Sequence, residues 1–241
     1  MSVSRVALVC IQAFANQVAT TPPNPTPPKG RYHTDELYIL QIAPLIFKCH
    51  QIIFWFAATF EVLYFLHPFL PLPSPPPNPS LTNTLICPLN PSHPTSDPNP
   101  IHVTPSFLIG VVAVVLGAYI RLDCFKALGQ MFTFDLTIHP EHTLVTNRFY
   151  SYVRHPAYTG SLLLVGGLTL SHLTKGSWLT ECGPLMSTWS AGGVWALWWI
   201  WVISVGISRA QAEDGQMRKL FKDEWETYAT NVPWWFFPGI I

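Results

Sequence analysis

The sequence predicts an all-α polytopic membrane bundle of four to five spans. Charged residues are only 11% of the 241 residues and hydrophobic residues reach 49%, whereas soluble proteins carry about 25% charged residues. The apolar residues gather in runs of the length needed to cross a hydrocarbon core of about 30 Å. Zero net charge, with no basic block, argues against a nucleic-acid partner. The five cysteines lie far apart without a CxxC pair, so neither a zinc site nor a disulfide framework is expected.

Residues 1–36 hold an apolar run at 6–15, about half the length of a transmembrane helix. A signal-like segment, a shortened span and a re-entrant piece all fit it. Residues 20–31 are rich in proline and read as an extended linker. Residues 37–66 form a span whose Pro44, Lys48, His50 and Glu61 turn toward neighbouring helices or the interfaces. In residues 67–105 prolines recur every few positions, which excludes regular helix and central strand. Residues 106–241 carry the remaining runs, at 106–120, 158–173 and 188–208. Gly183 and Pro184 join the last two as a helical hairpin.

Lysine and arginine placement orients the bundle. Arg121, Lys126, Arg148 and Arg154 precede the run at 158, and Arg209, Arg218, Lys219 and Lys222 follow residue 208. The hairpin connection holds only Lys175 and the proline loop none, so both clusters are expected in the cytosol and the loop on the other side.

Between His139 and Gly160 lie three histidines, two arginines and three tyrosines, ending where an apolar run begins. Taken alone, Arg154 reads as a positive-inside anchor and the tyrosines as an interfacial belt. Pro156 fits the first turn of a helix, whose free N–H groups attract anions. After the last run, Ser208 is expected to cap a helix over 209–228, with Arg209 and Glu213 one turn apart on one face. A solvated ion pair would explain that spacing, but an arginine at the end of a span also suits an anionic group held at the interface.

Together these residues say more. HTLVT at 142–146, YSYVRHPAYTG at 150–160, RxxxEDxxMxxxFxxEWxxY at 209–228, GQMFT at 129–133 and a terminal proline-glycine segment resemble the isoprenylcysteine carboxyl methyltransferase family of endoplasmic reticulum membrane enzymes. The resemblance implies a cytosol-facing pocket for S-adenosylmethionine and, as acceptors, prenylated CaaX proteins after proteolysis, reached from within the lipid bilayer. It places His139, His142, Thr143, Leu144, Val145, Tyr150, His155, Pro156, Ala157, Tyr158 and Glu213 at the cofactor and Arg209 at the substrate carboxylate, as the catalytic arginine. No metal is implied.

The residues agree with these roles. A cofactor cationic at sulfur needs an acidic partner, donors for its own carboxylate and aromatic faces near the sulfonium. An acceptor carboxylate is already a nucleophile at neutral pH, so it needs alignment and a counter-ion rather than a base. Arginine binds a carboxylate with two parallel N–H bonds and stays charged. Arg148 and Lys222 stand where the family usually has glycine, so the local backbone is expected to differ there. Asp214 replaces a second glutamate and Trp225 a tyrosine. A phospholipid N-methyltransferase-like enzyme and a non-catalytic adaptor are the competing readings; in the first, Arg209 would repel a protonated amine acceptor.

Overall fold

The computed structural model describes residues 1–27, 29–32, 42–69, 86–87 and 100–240. Within them lie α1 (Val3–Ala19), α2 (Ala43–Leu66), α3 (Pro105–Leu128), α4 (Pro156–His172), a short α5 (Trp178–Glu181), α6 (Thr188–Phe221) and α7 (Asp223–Asn231). No strand occurs among the described residues, only an isolated antiparallel bridge between Arg31 and Thr137. Three helical stretches, Pro44–Phe69, Pro105–Met131 and Thr188–Phe221, are long and apolar enough to cross a membrane. That fits a multi-pass membrane protein. Residues 33–41, which include the start of the expected second span, and residues 70–85 and 88–99 of the proline loop lie outside the described residues.

The run at 6–15 belongs to a 17-residue helix. Arg5, Val9, Gln12 and Asn16 recur at spacings that place them on one face, and all are buried, while Val3, Ile11 and Phe14 are exposed. The polar stripe turns to neighbouring helices and the apolar face outward, the arrangement a lipid solvent favours. Arg5 Nε and Nη2 donate to the two Glu61 oxygens at 2.8 and 2.9 Å. Gln12 donates to Ser171 at 2.6 Å, and Asn16 meets His50 at 3.1 Å. Arg5 and Asn16 bound the apolar run at 6–15, so the run is shorter than the 17-residue helix that contains it.

The centre of the bundle is the antiparallel pair α3 and α4, which meet through glycine. A Cβ on Gly117 would lie 2.6 Å from the Gly160 carbonyl oxygen, and one on Gly167 would lie 2.5 Å from that of Gly110. Small residues let two helix backbones touch, which is how helices associate where apolar burial gives little driving force.

Two expectations are corrected. Ser208 caps nothing: α6 runs unbroken through 34 residues, because no proline interrupts the junction between its apolar and polar halves. At about 50 Å it exceeds the hydrocarbon thickness by some 20 Å, so its last turns project beyond the apolar layer. The break falls at Lys222 (φ 48), and α7 folds back from there. The second correction is a disulfide, Cys87–Cys182, across 95 residues of sequence. Its partners meet only because the fold brings residues 86–87 to α5, where Trp178 Nε1 donates to the Ile86 carbonyl at 2.7 Å.

Candidate active site

The site begins where α4 begins. Pro156 needs no N–H partner in the first helical turn, and the residues before it are held by the C-terminal segment. The Arg154 and His155 amides donate to the Trp234 and Trp235 carbonyls, both at 2.9 Å, and the Thr159 hydroxyl donates to the Phe236 carbonyl at 2.5 Å. On the other flank α7 packs Trp225 and Tyr228 against Leu144, Met217 and Phe221. The Tyr228 hydroxyl donates to the Tyr150 carbonyl at 2.7 Å.

These contacts bring the two sequence clusters into hydrogen-bonding reach. His155 lies between two carboxylates of α6, with Nδ1 3.2 Å from Glu213 and Nε2 2.8 Å from Asp214. Burial acts to lower its pKa, but the hydrogen bonds and charge of Asp214 and Glu213 outweigh it and raise the pKa to about 9. His155 is thus an imidazolium at neutral pH with both N–H groups engaged. The Tyr158 hydroxyl donates to the other Glu213 oxygen and accepts from Arg209 Nε at 3.1 Å. Arg209 Nη2 donates to the Phe134 carbonyl at 2.6 Å.

Arg209 and Glu213 therefore make no direct ion pair among the described residues; Tyr158 bridges them. Asp214 is held by Trp235 Nε1 at 3.0 Å and by Arg154 at 3.5 Å. Arg154, His155 and Arg209 thus face Glu213 and Asp214, which leaves an excess positive charge at the cluster. Nearby, Arg121 spends its donors on the carbonyls of Ala19 and Ala157 and the hydroxyl of Ser161, so its role is to fasten α1 to α3 and α4.

A cavity of about 680 Å³ opens from this cluster. Its polar end is lined by Arg154, His155, Tyr158, Arg209 and Glu213, and its other end by apolar residues of α2, α4 and α6 as far as Leu170 and Trp198. His142, Thr143, Leu144, Val145, Tyr150 and Ala157 also line the cavity. Pro156 is fully buried behind it, and His139 lines a separate outer pocket instead. The pKa of His142 is lowered by burial and then by His139, so its ring is neutral, and its buried Nδ1 lacks a partner among the described residues.

Residues 108–182 match the model of the isoprenylcysteine carboxyl methyltransferase family. The resemblance carried by the motifs at 129–133, 142–146 and 150–160 is thereby shown. Similar chains include a probable protein-S-isoprenylcysteine O-methyltransferase of Oryza sativa subsp. indica, 29% identical over 52% of this chain and 57% of the relative. Protein-S-isoprenylcysteine O-methyltransferase B of Arabidopsis thaliana is 26% identical over 52% and 55%. The Schizosaccharomyces pombe protein-S-isoprenylcysteine O-methyltransferase is 28% identical over 54% and 52%. The chain spans about half the length of these curated relatives. No solved structure matches.

The region matched to the isoprenylcysteine carboxyl methyltransferase family covers His139 to Tyr158 but ends before Arg209 and Glu213. Contact geometry supplies that second half. Sequence reasoning missed Asp214 as a partner of His155, and Trp235 and Phe236 as its cover. The only signal was aromatic density at the C-terminus. It also missed Tyr32, which lies on the cavity wall far in sequence from either cluster, and Phe134, whose backbone carbonyl holds Arg209.

Proposed function

We propose that the protein transfers a methyl group from S-adenosylmethionine to the C-terminal carboxylate of prenylated cysteine in CaaX-processed proteins. The observation that carries this reading is the continuity of one cavity from a cationic cluster to an apolar arm, with Arg209 in its wall. A prenylated cysteine has the same polarity, a carboxylate next to a long hydrocarbon.

The residues fit the cofactor. Glu213 offers negative charge, Tyr158, Trp225 and Phe236 offer aromatic faces, and the unpartnered His142 Nδ1 offers a hydrogen-bonding position. When bound, S-adenosylmethionine supplies an electrophilic methyl on sulfur. Arg209 holds the acceptor carboxylate: Nε and one Nη2 hydrogen are engaged, which leaves the Nη1–Nη2 edge for two parallel bonds. The excess positive charge of the cluster is what an added carboxylate neutralises. No base is required, and His155, with both nitrogens on carboxylates, orients Glu213 rather than moving a proton.

The cytosolic face is assigned by charge. Of the 13 lysines and arginines, only Arg5 and Lys175 lie at the end where α1 begins; the rest lie toward the site. The endoplasmic reticulum is the compartment the family implies. Labelled cofactor and a farnesylcysteine analogue in isolated membranes test the reading. Base-stable labelling of lipid amines instead of base-labile ester would replace it with the phospholipid enzyme, and no saturable cofactor binding would leave an adaptor.

A further inference from the structure

Residues 20–27 and 29–32, which follow α1, are bonded to the loop beside the site. Asn24 Nδ2 donates to the Gly129 and Phe132 carbonyls at 2.7 and 2.9 Å. Thr26 Oγ1 and Arg31 Nη2 both reach Asp135, at 2.5 and 2.8 Å. The Ile138 amide donates to the Gly30 carbonyl and the Tyr32 amide to the Leu136 carbonyl, both at 3.0 Å. Gly30 has φ +86, and a Cβ there would lie 2.8 Å from the Ile138 carbonyl oxygen, so only glycine lets the two backbones lie this close. An extended linker that merely spans a gap needs none of these bonds.

The segment ends by placing the Tyr32 side chain, half-buried, on the wall of the main cavity. The loop it grips, 132–136, is also the loop that holds Arg209 through the Phe134 carbonyl. Tyr32 therefore sits in the same layer as the substrate-side arginine. Resting on the methyl-transfer reading, we infer that residues 20–27 and 29–32 form a strap closing the Arg209 side of the cavity and that Tyr32 is a substrate-binding residue whose hydroxyl donates to the acceptor carboxylate. Burial first, and then the negative charge of Glu213, raise the Tyr32 pKa, so its hydroxyl keeps the proton it must donate.

The test uses the full-length protein in membranes, with three readouts: S-adenosylmethionine affinity, KM for farnesylcysteine analogue and thermal stability. A hydrogen bond to a charged group lost by Tyr32→Phe is expected to raise the acceptor KM about tenfold or more, with cofactor affinity and stability unchanged. Asp135→Asn, which loosens the strap at Thr26 and Arg31, is expected to raise KM in the same direction. Combined with Tyr32→Phe it should add less than the sum of the two, because both act through one hydroxyl. Wild-type KM in Tyr32→Phe overturns the role of Tyr32, and full additivity overturns the strap. Wild-type protein that binds cofactor but leaves the analogue unmethylated overturns the methyl-transfer reading instead.

Discussion

Two residues decide what the site can do, and each makes a prediction. Arg209 has spent Nε and an Nη2 hydrogen on Tyr158 and Phe134, so its remaining edge is aimed by protein contacts rather than by the substrate. Lysine cannot reproduce a planar fork with those bonds already made. Arg209→Lys should keep cofactor affinity and lose about a hundredfold in turnover, a loss of transition-state hold of about 2.7 kcal/mol; full activity would remove Arg209 from the mechanism. His155 makes the second prediction. Its folded pKa of about 9 lies above the ordinary 6.5, so the stabilisation it gives is complete below the ordinary value and lost as pH rises through the folded one. Thermal unfolding in detergent should show stability falling on the alkaline side, and Asp214→Asn should move that fall to lower pH. An unshifted profile would mean that Asp214 does not hold the proton on His155.

At the scale of elements, the backbone bends at the two positions where the sequence departs from the family's glycine. Arg148 and Lys222 are the non-glycine residues with positive φ among the described residues, at 56 and 48. Arg148 has an ion pair with Asp123 at 2.6 Å in partial compensation, whereas the Lys222 side chain is exposed. Replacing Lys222 by glycine should therefore relieve strain of about 1 kcal/mol and raise the melting temperature by a few degrees. No change would show that the turn between α6 and α7 is unstrained. Glycine at the α3–α4 contact predicts the opposite sign. Gly117→Val would drive side-chain atoms into the Gly160 carbonyl, and loss of stability by about 1–3 kcal/mol is the expected result. These positions also show why some elements were legible in the sequence and others were not. Long apolar runs and the histidine-tyrosine and RxxxE clusters revealed α2, α3, α4, the apolar half of α6 and most of the candidate site, because composition and short spacing encode them. The polar stripe of α1, the strap and the disulfide depend on partners 34 to 159 residues away. No local pattern carries that information.

For the whole molecule, the two ends of the bundle differ in chemistry, and that difference supports the proposed orientation. One end carries the Cys87–Cys182 disulfide, the buried Arg5–Glu61 pair and α5; the other carries the cationic site cluster. A stable disulfide belongs in an oxidising compartment, and clustered lysine and arginine belong on the cytosolic face. The two criteria are independent, yet they assign opposite faces to opposite ends, so they agree. Tyr152 is exposed beside the site and Lys175 lies near the disulfide end. With the other free cysteines removed, Tyr152→Cys in sealed microsomes should react with a membrane-impermeant maleimide added outside. Lys175→Cys should react only after the membrane is opened by detergent. Labelling of Lys175→Cys before detergent would put the disulfide end in the cytosol and remove the charge argument for where the site faces.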